Sequence, residues 1–117
     1  MRHVEVKVAL ANPKAGTTLE EKGQVDTGAT LTVLPRKIAE ALRLDTTAKS
    51  KAMTAGGPIT VELSDVQVEI SGKTGIVRVA ISDVVDRLLV GVTTLDTLGL
   101  AVDPLSGQLN ESLYLIC

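Results

Sequence analysis

The sequence predicts a mostly β domain whose sheet closes, or partly closes, on itself, with one or two short helices. Three observations lead there. Apolar and polar residues alternate in run after run, Gly, Pro, Asn and Asp cluster between the runs, and no strand-helix alternation repeats along the chain. The last point argues against a parallel α/β sheet. With 117 residues and no convincing linker, the chain is expected to form a single domain, 1–117.

Val4, Val6, Val8 and Leu10 alternate with Glu5, Lys7 and Ala9, the period of a half-buried strand, and Asn12-Pro13-Lys14-Ala15-Gly16 reads as the turn after it. A second strand runs from about Leu19 to Val25 into Asp26-Thr27-Gly28, where Gly28 marks a sharp change of direction. Leu31 to Leu34 is again apolar. Pro35 suits a helix start, because its missing N–H is one that no helix start uses, and Ile38, Ala39 and Leu42 share one face; the predicted helix is Pro35 to Arg43.

A strand over Lys51 to Met53 leads to Thr54-Ala55-Gly56-Gly57-Pro58, the strongest hairpin tip in the chain. Ile59, Val61 and Leu63 alternate, and Val66, Val68 and Ile70 alternate with the phase moved by one residue, so a bulge or bend is expected near Ser64-Asp65. Gly72-Lys73-Thr74-Gly75 is read as a turn before the strand Ile76 to Ile81. Leu88-Leu89-Val90-Gly91 is short and wholly apolar, as a buried strand is, and Val92 to Leu98 forms a short helix ending at Gly99. Asp103-Pro104-Leu105-Ser106-Gly107 turns between two last strands, the final one Leu113 to Ile116.

Composition narrows the chemistry. Phe and Trp are absent, Tyr114 is the only aromatic residue and the net charge is −2, so base stacking and phosphate attraction are both poorly served and no nucleic acid partner is expected. His3 is the only histidine and Cys117 the only cysteine, which rules out an internal disulfide and leaves too few ligands for a usual zinc site. Triads and dyads built on His would have to use His3 near the chain start. Any catalysis therefore falls to carboxylates, hydroxyls or backbone amides. His3 is expected on the surface and Cys117 as a free thiol, while Arg36, Lys37, Arg43, Lys49 and Lys51 read as a solvated face. No run of about twenty apolar residues occurs and no basic-then-apolar leader is seen, so the chain is expected to be cytoplasmic and independent of membranes.

One segment carries a chemical signal. Val25-Asp26-Thr27-Gly28-Ala29 puts an acid between an apolar strand and a glycine turn. On these residues alone, Asp26 is either an ordinary turn residue accepting amide hydrogen bonds or a reactive carboxylate. The wider stretch Gln24-Val25-Asp26-Thr27-Gly28-Ala29-Thr30-Leu31-Thr32-Val33-Leu34-Pro35 resembles the active-site segment of the retropepsin-like (retroviral-type) aspartic proteases. Leu88-Leu89-Val90-Gly91 and the helix after it resemble that family's second apolar-apolar-Gly element, and the tip Ala55-Gly56-Gly57-Pro58 falls where the family has its substrate-covering flap. The resemblance covers nearly the whole chain.

What the resemblance implies is a small acid-protease β-barrel and a peptide hydrolase in which Asp26 is catalytic and which needs no metal and no organic cofactor. Thr27 would cross-link two copies of the loop and Gly28 would let the backbone approach the substrate. Ala29, Thr30 and the flap residues Ala55, Gly56, Gly57 and Pro58 would contact the peptide. Thr30 stands where the family often carries an acidic residue or serine, and Ile59 is taken as the apolar residue the flap presents. The chemistry needs two carboxylates sharing a proton. Asp96-Thr97-Leu98-Gly99 has leucine where the turn needs glycine, so a second Asp must come from a second copy and a homodimer is implied. Its partner would be an extended or unfolded polypeptide. Two alternatives stay open: a non-catalytic dimeric peptide-binding or assembly module of the same fold, and a monomeric barrel with an Asp in a turn.

Overall fold

The computed structural model describes residues 4–103 and 105–112. Among them the elements run β1 (Val4–Ala11), β2 (Thr18–Val25), β3 (Thr32–Pro35), α1 (Arg36–Ala41), β4 (Ala48–Thr54), β5 (Gly57–Ile70), β6 (Lys73–Ser82), β7 (Leu88–Val90), α2 (Val92–Leu98), β8 (Leu100–Val102) and β9 (Leu109–Glu111). The expected strand Leu113 to Ile116, together with His3, Tyr114 and Cys117, lies outside the described residues. Across the turn after Asp103, β8 pairs with β9.

Strands β1, β2, β7, β3, β6 and β5 are neighbours in that order, and a further pairing of β5 with β1 closes them into a six-stranded barrel. Closure leaves these strands no free edges, which is how a small β domain avoids edge-to-edge association. Strand β4 stands outside the ring, joined to the first half of β5 through Ala48↔Leu63 to Thr54↔Gly57. The barrel interior is aliphatic. Val8, Leu10, Val66, Val68, Val79 and Val90 are each buried to within 1% of full burial.

The phase change in β5 has a different origin from a bulge. Pairing with β6 runs unbroken from Glu62↔Ile81 to Ile70↔Lys73, straight through Ser64 and Asp65. What changes is the face that is covered. Ser64, Val66, Val68 and Ile70 point into the barrel, whereas Val61 and Leu63, of opposite parity, belong to the other face, beside residues 50–53 of β4.

The turn after β5 also differs from expectation. It is a two-residue turn at Ser71-Gly72 with φ of 53° and 78°, the left-handed pair that matches strand twist. Gly75 is then a strand residue, and a Cβ there would lie 3.2 Å from Leu98 and 3.3 Å from Thr97, so its smallness lets α2 lie across β6. Helix α1 is shorter than predicted, since Pro35 ends β3 in extended backbone and Arg43 turns left-handed at φ 57°. The Asn12 side chain donates from Nδ2 to the carbonyls of Leu42 at 2.9 Å and Arg43 at 2.8 Å, which fastens the β1–β2 turn to the end of that helix. Among the described residues no helix is long and apolar enough to cross a membrane.

Candidate active site

Residues 26–31 link β2 to β3, and hydrogen bonds hold this loop at both ends. The Asp26 amide donates to the Val90 carbonyl at 3.0 Å, continuing the parallel pairing of β2 with β7. Inside the loop, Ala29 N–H donates to the Asp26 carbonyl at 3.1 Å and Gly28 N–H to Asp26 Oδ1 at 2.9 Å. The half-buried Asp26 carboxylate is therefore oriented by its own turn, and Oδ2 is left without a bond from it. A Cβ on Gly28 would sit 3.2 Å from Asp26 Oδ1, so glycine keeps that oxygen uncrowded.

The far end of the loop rests on α2. Val92 N–H donates to the Ala29 carbonyl at 2.8 Å, and Thr93 donates to the Thr30 carbonyl from its N–H at 3.0 Å and its hydroxyl at 2.7 Å. Helix α2 has no side-chain N-cap, so loop carbonyls satisfy N–H groups that a helix start leaves unpaired. Beneath them Thr32 Oγ1 accepts the Gly91 N–H at 3.0 Å and lies 2.6 Å from Thr94 Oγ1, all buried. At Gly91 the chain passes so close that a Cβ would run into the Leu31 carbonyl and reach within 2.8 Å of the Thr32 nitrogen.

An open cleft of about 560 Å³ separates this loop from the β4–β5 hairpin. Gly28, Ala29 and Thr30 line one wall, residues 50–53 of β4 the other, and Val33, Val61, Leu63 and Ala80 contribute apolar surface. The hairpin tip is Ala55-Gly56. Gly57 follows at φ 110°, and Thr54 Oγ1 clasps it by donating to the Gly57 carbonyl at 2.7 Å while accepting the Gly56 N–H at 3.2 Å. Of the residues singled out from sequence, Gly28, Ala29 and Thr30 thus meet in the cleft; Asp26, Thr27, Ala55, Gly56, Gly57 and Pro58 fall outside its lining. Ile59 is not among the lining residues either. Met53, 79% exposed and directly across from Pro58, is the large apolar side chain at the cleft that the sequence reading missed. Its cue was available: an unbranched apolar residue near the end of the strand that leads into the glycine tip.

A second cluster fastens the base of the hairpin. Arg36 Nε donates to Asp83 Oδ1 at 2.8 Å and Nη2 to Glu62 Oε1 at 2.6 Å, and the Thr46 hydroxyl donates to Glu62 Oε2. Arg36 is thus a paired residue, not part of a solvated face. Its guanidinium is held above its usual range by Asp83 and then Glu62. The bonds from Thr46 and Arg36 keep Glu62 below the ordinary carboxylate value, and Arg36 does the same for Asp83. Among the described residues no three His, Cys, Asp or Glu side chains gather to hold a metal ion.

A family model described as aspartyl protease matches residues 15–94, which include the Asp26 loop, the hairpin and Gly91. The chain belongs to the aspartyl protease family. The match omits β1, which closes the barrel, and the β8–β9 hairpin. A search of curated proteins finds no match. Among solved structures, the EIAV protease complexed with the inhibitor HBY-793 superposes with a TM-score of 0.67 at 19% identity, over 84% of this chain and 89% of that one. At that identity the likeness is one of fold, and this aspartyl protease family member has the retropepsin-like fold.

Proposed function

We propose that the protein is an aspartic endopeptidase that works as a homodimer and cuts extended or unfolded polypeptides. The observation that carries the reading is the Asp26 loop: one oriented carboxylate, on a loop braced from both ends, beside an apolar cleft roofed by a hairpin. One such loop provides half of the chemistry. In the dimer Asp26 meets its symmetry mate about 3 Å away, and the two hold a single proton because like charges that close cannot both ionise. The ionised group takes a proton from the water between them as the water attacks the scissile carbonyl, and the protonated group donates to the developing oxygen. The pair's two apparent pKa values belong to the dyad and not to either copy.

Thr27, exposed beside Asp26, is assigned to the contact between the two loops. Gly28, Ala29 and Thr30 form the floor on which the peptide lies, and Ala55, Gly56, Gly57 and Pro58 close over it, the backbone of the peptide pairing as an added strand. We expect the enzyme in the cytoplasm, where a chain with one cysteine loses nothing to a reducing environment.

Light scattering and cleavage of a denatured protein between pH 4 and 7 test the reading together. A dimer is expected, with Asp26→Asn remaining dimeric and losing cleavage by at least about a thousandfold. A monomer at working concentration, or undiminished cleavage by Asp26→Asn, overturns it. A dimer that binds peptide without cutting is the result for the non-catalytic assembly module.

A further inference from the structure

The hydroxyl of Thr94 is buried on α2 and shares a hydrogen bond with Thr32, 62 residues away. Its reach becomes visible when the groups around it are taken one peptide at a time. Thr32 Oγ1 touches Thr94 Oγ1 at 2.6 Å and accepts the Gly91 N–H at 3.0 Å. That N–H belongs to the same peptide unit as the Val90 carbonyl, and the Val90 carbonyl is the acceptor of the Asp26 N–H at 3.0 Å. A peptide unit is planar and stiff, so its two polar ends cannot reorient separately. Fixing the N–H edge at Thr32 fixes the carbonyl edge on which Asp26 hangs.

Thr32 alone is a poor anchor. Its side chain swings about a single bond, and a hydroxyl that only accepts from Gly91 has a second direction open. The Thr94 hydroxyl, itself 1% exposed and seated on a helix packed against β6, fills that direction. With Thr94 present, Thr32 is held between a helix side chain and the Val90–Gly91 peptide. There is no space for that peptide to move toward the loop, since Gly91 already lies against the Leu31 carbonyl.

We propose that Thr94 is a positioning residue for Asp26, acting through Thr32 and the Val90–Gly91 peptide to set the height of the carboxylate relative to its counterpart across the dimer axis. The proposal rests on the endopeptidase reading above. Position matters here because a proton shared by two carboxylates depends steeply on their separation, and a displacement well under 1 Å is costly to a preorganised site. Peptide contacts belong to Gly28, Ala29, Thr30 and the hairpin, so the effect falls on turnover and not on binding.

Two variants and two readouts test this. In Thr94→Val the shape is kept and the hydroxyl lost; Thr94→Ser keeps the hydroxyl. The expected result for Thr94→Val is a folded dimer with kcat lowered about tenfold, KM within twofold and an altered pH profile, and Thr94→Ser is expected to recover kcat to within about threefold. Amide hydrogen exchange gives the second readout, independent of cleavage: the Asp26 and Gly91 amides should exchange at least tenfold faster in Thr94→Val, with Val68 and Val79 in the barrel unchanged. Unaltered exchange at Asp26, an unchanged kcat, or a loss that Thr94→Ser does not recover overturns the role of Thr94. A wild-type chain that cleaves nothing, while exchange at Asp26 responds as expected, overturns the endopeptidase reading and leaves the positioning of Asp26 standing.

Discussion

Of the glycines near the site, Gly91 has the least room. A methyl group there has to displace backbone, namely the Leu31 carbonyl and the Thr32 nitrogen, and backbone cannot yield as the end of a side chain can. Gly91→Ala is expected to cost about 3 kcal/mol, read as a lower urea midpoint with an unchanged slope. Far-UV circular dichroism is the natural probe, because the chain has no Trp. The turn at Asp26-Thr27-Gly28 was legible from sequence, since it signals through its immediate neighbours. Thr94 and Asn12 were not. Their partners lie 62 and 30 residues away, and nothing in a threonine or an asparagine names a distant acceptor.

At the level of elements, the hairpin over the cleft depends on its attachment as much as on its tip. Arg36 opens α1, Glu62 belongs to β5 and Asp83 follows β6, so one guanidinium ties three segments together. Both carboxylates sit below their ordinary values of 4.5 and 3.8. A depressed carboxylate contributes stability that is fully present above its unfolded pKa and is lost as pH falls through the folded one, so the tie holds above about pH 5 and weakens below the ordinary carboxylate range. Arg36→Met is expected to flatten that acid limb in thermal unfolding scans taken from pH 6 downward, with most of its destabilisation already seen at pH 6; an acid limb identical to wild type would show the tie to be idle. Element types were read well where alternation was long, as in β1 and β6. Bounds failed where local preference competed with pairing: the Gly72 to Gly75 stretch has good turn residues throughout, yet the register from Ile70↔Lys73 leaves only Ser71 and Gly72 for the turn.

At the level of the molecule, closure of the barrel follows from a single cross-pairing, Ala9↔Glu69 to Ala11↔Gln67, that no local pattern announces. The sequence carried the class, through many short alternating strands without a helical repeat, and left the strand order open. Parallel contacts of β2 with β7 and of β3 with β6 join segments that are far apart along the chain, and their partners were chosen by mutual burial.

Strand β5 also sets a rule for how this chain can change length. Its even residues from Ser64 onward build the barrel and its odd residues Val61 and Leu63 build the cleft, so parity along one uninterrupted strand assigns each side chain to stability or to recognition. Excising Asp65 puts both groups on the same face, and either the barrel or the cleft loses its wall; such a deletion is expected to be insoluble or unfolded. Removing Ala52, Met53, Pro58 and Ile59 together takes two cross-strand pairs from the hairpin, shortens it by roughly 7 Å and keeps every remaining parity. That variant is expected to melt within a few degrees of wild type, and a collapse equal to that of the single deletion would refute the rule. Lineages of this domain are accordingly free to drift in reach by paired steps at the tip, while the stretch around Ser64 and Asp65 admits no insertion or deletion of a single codon.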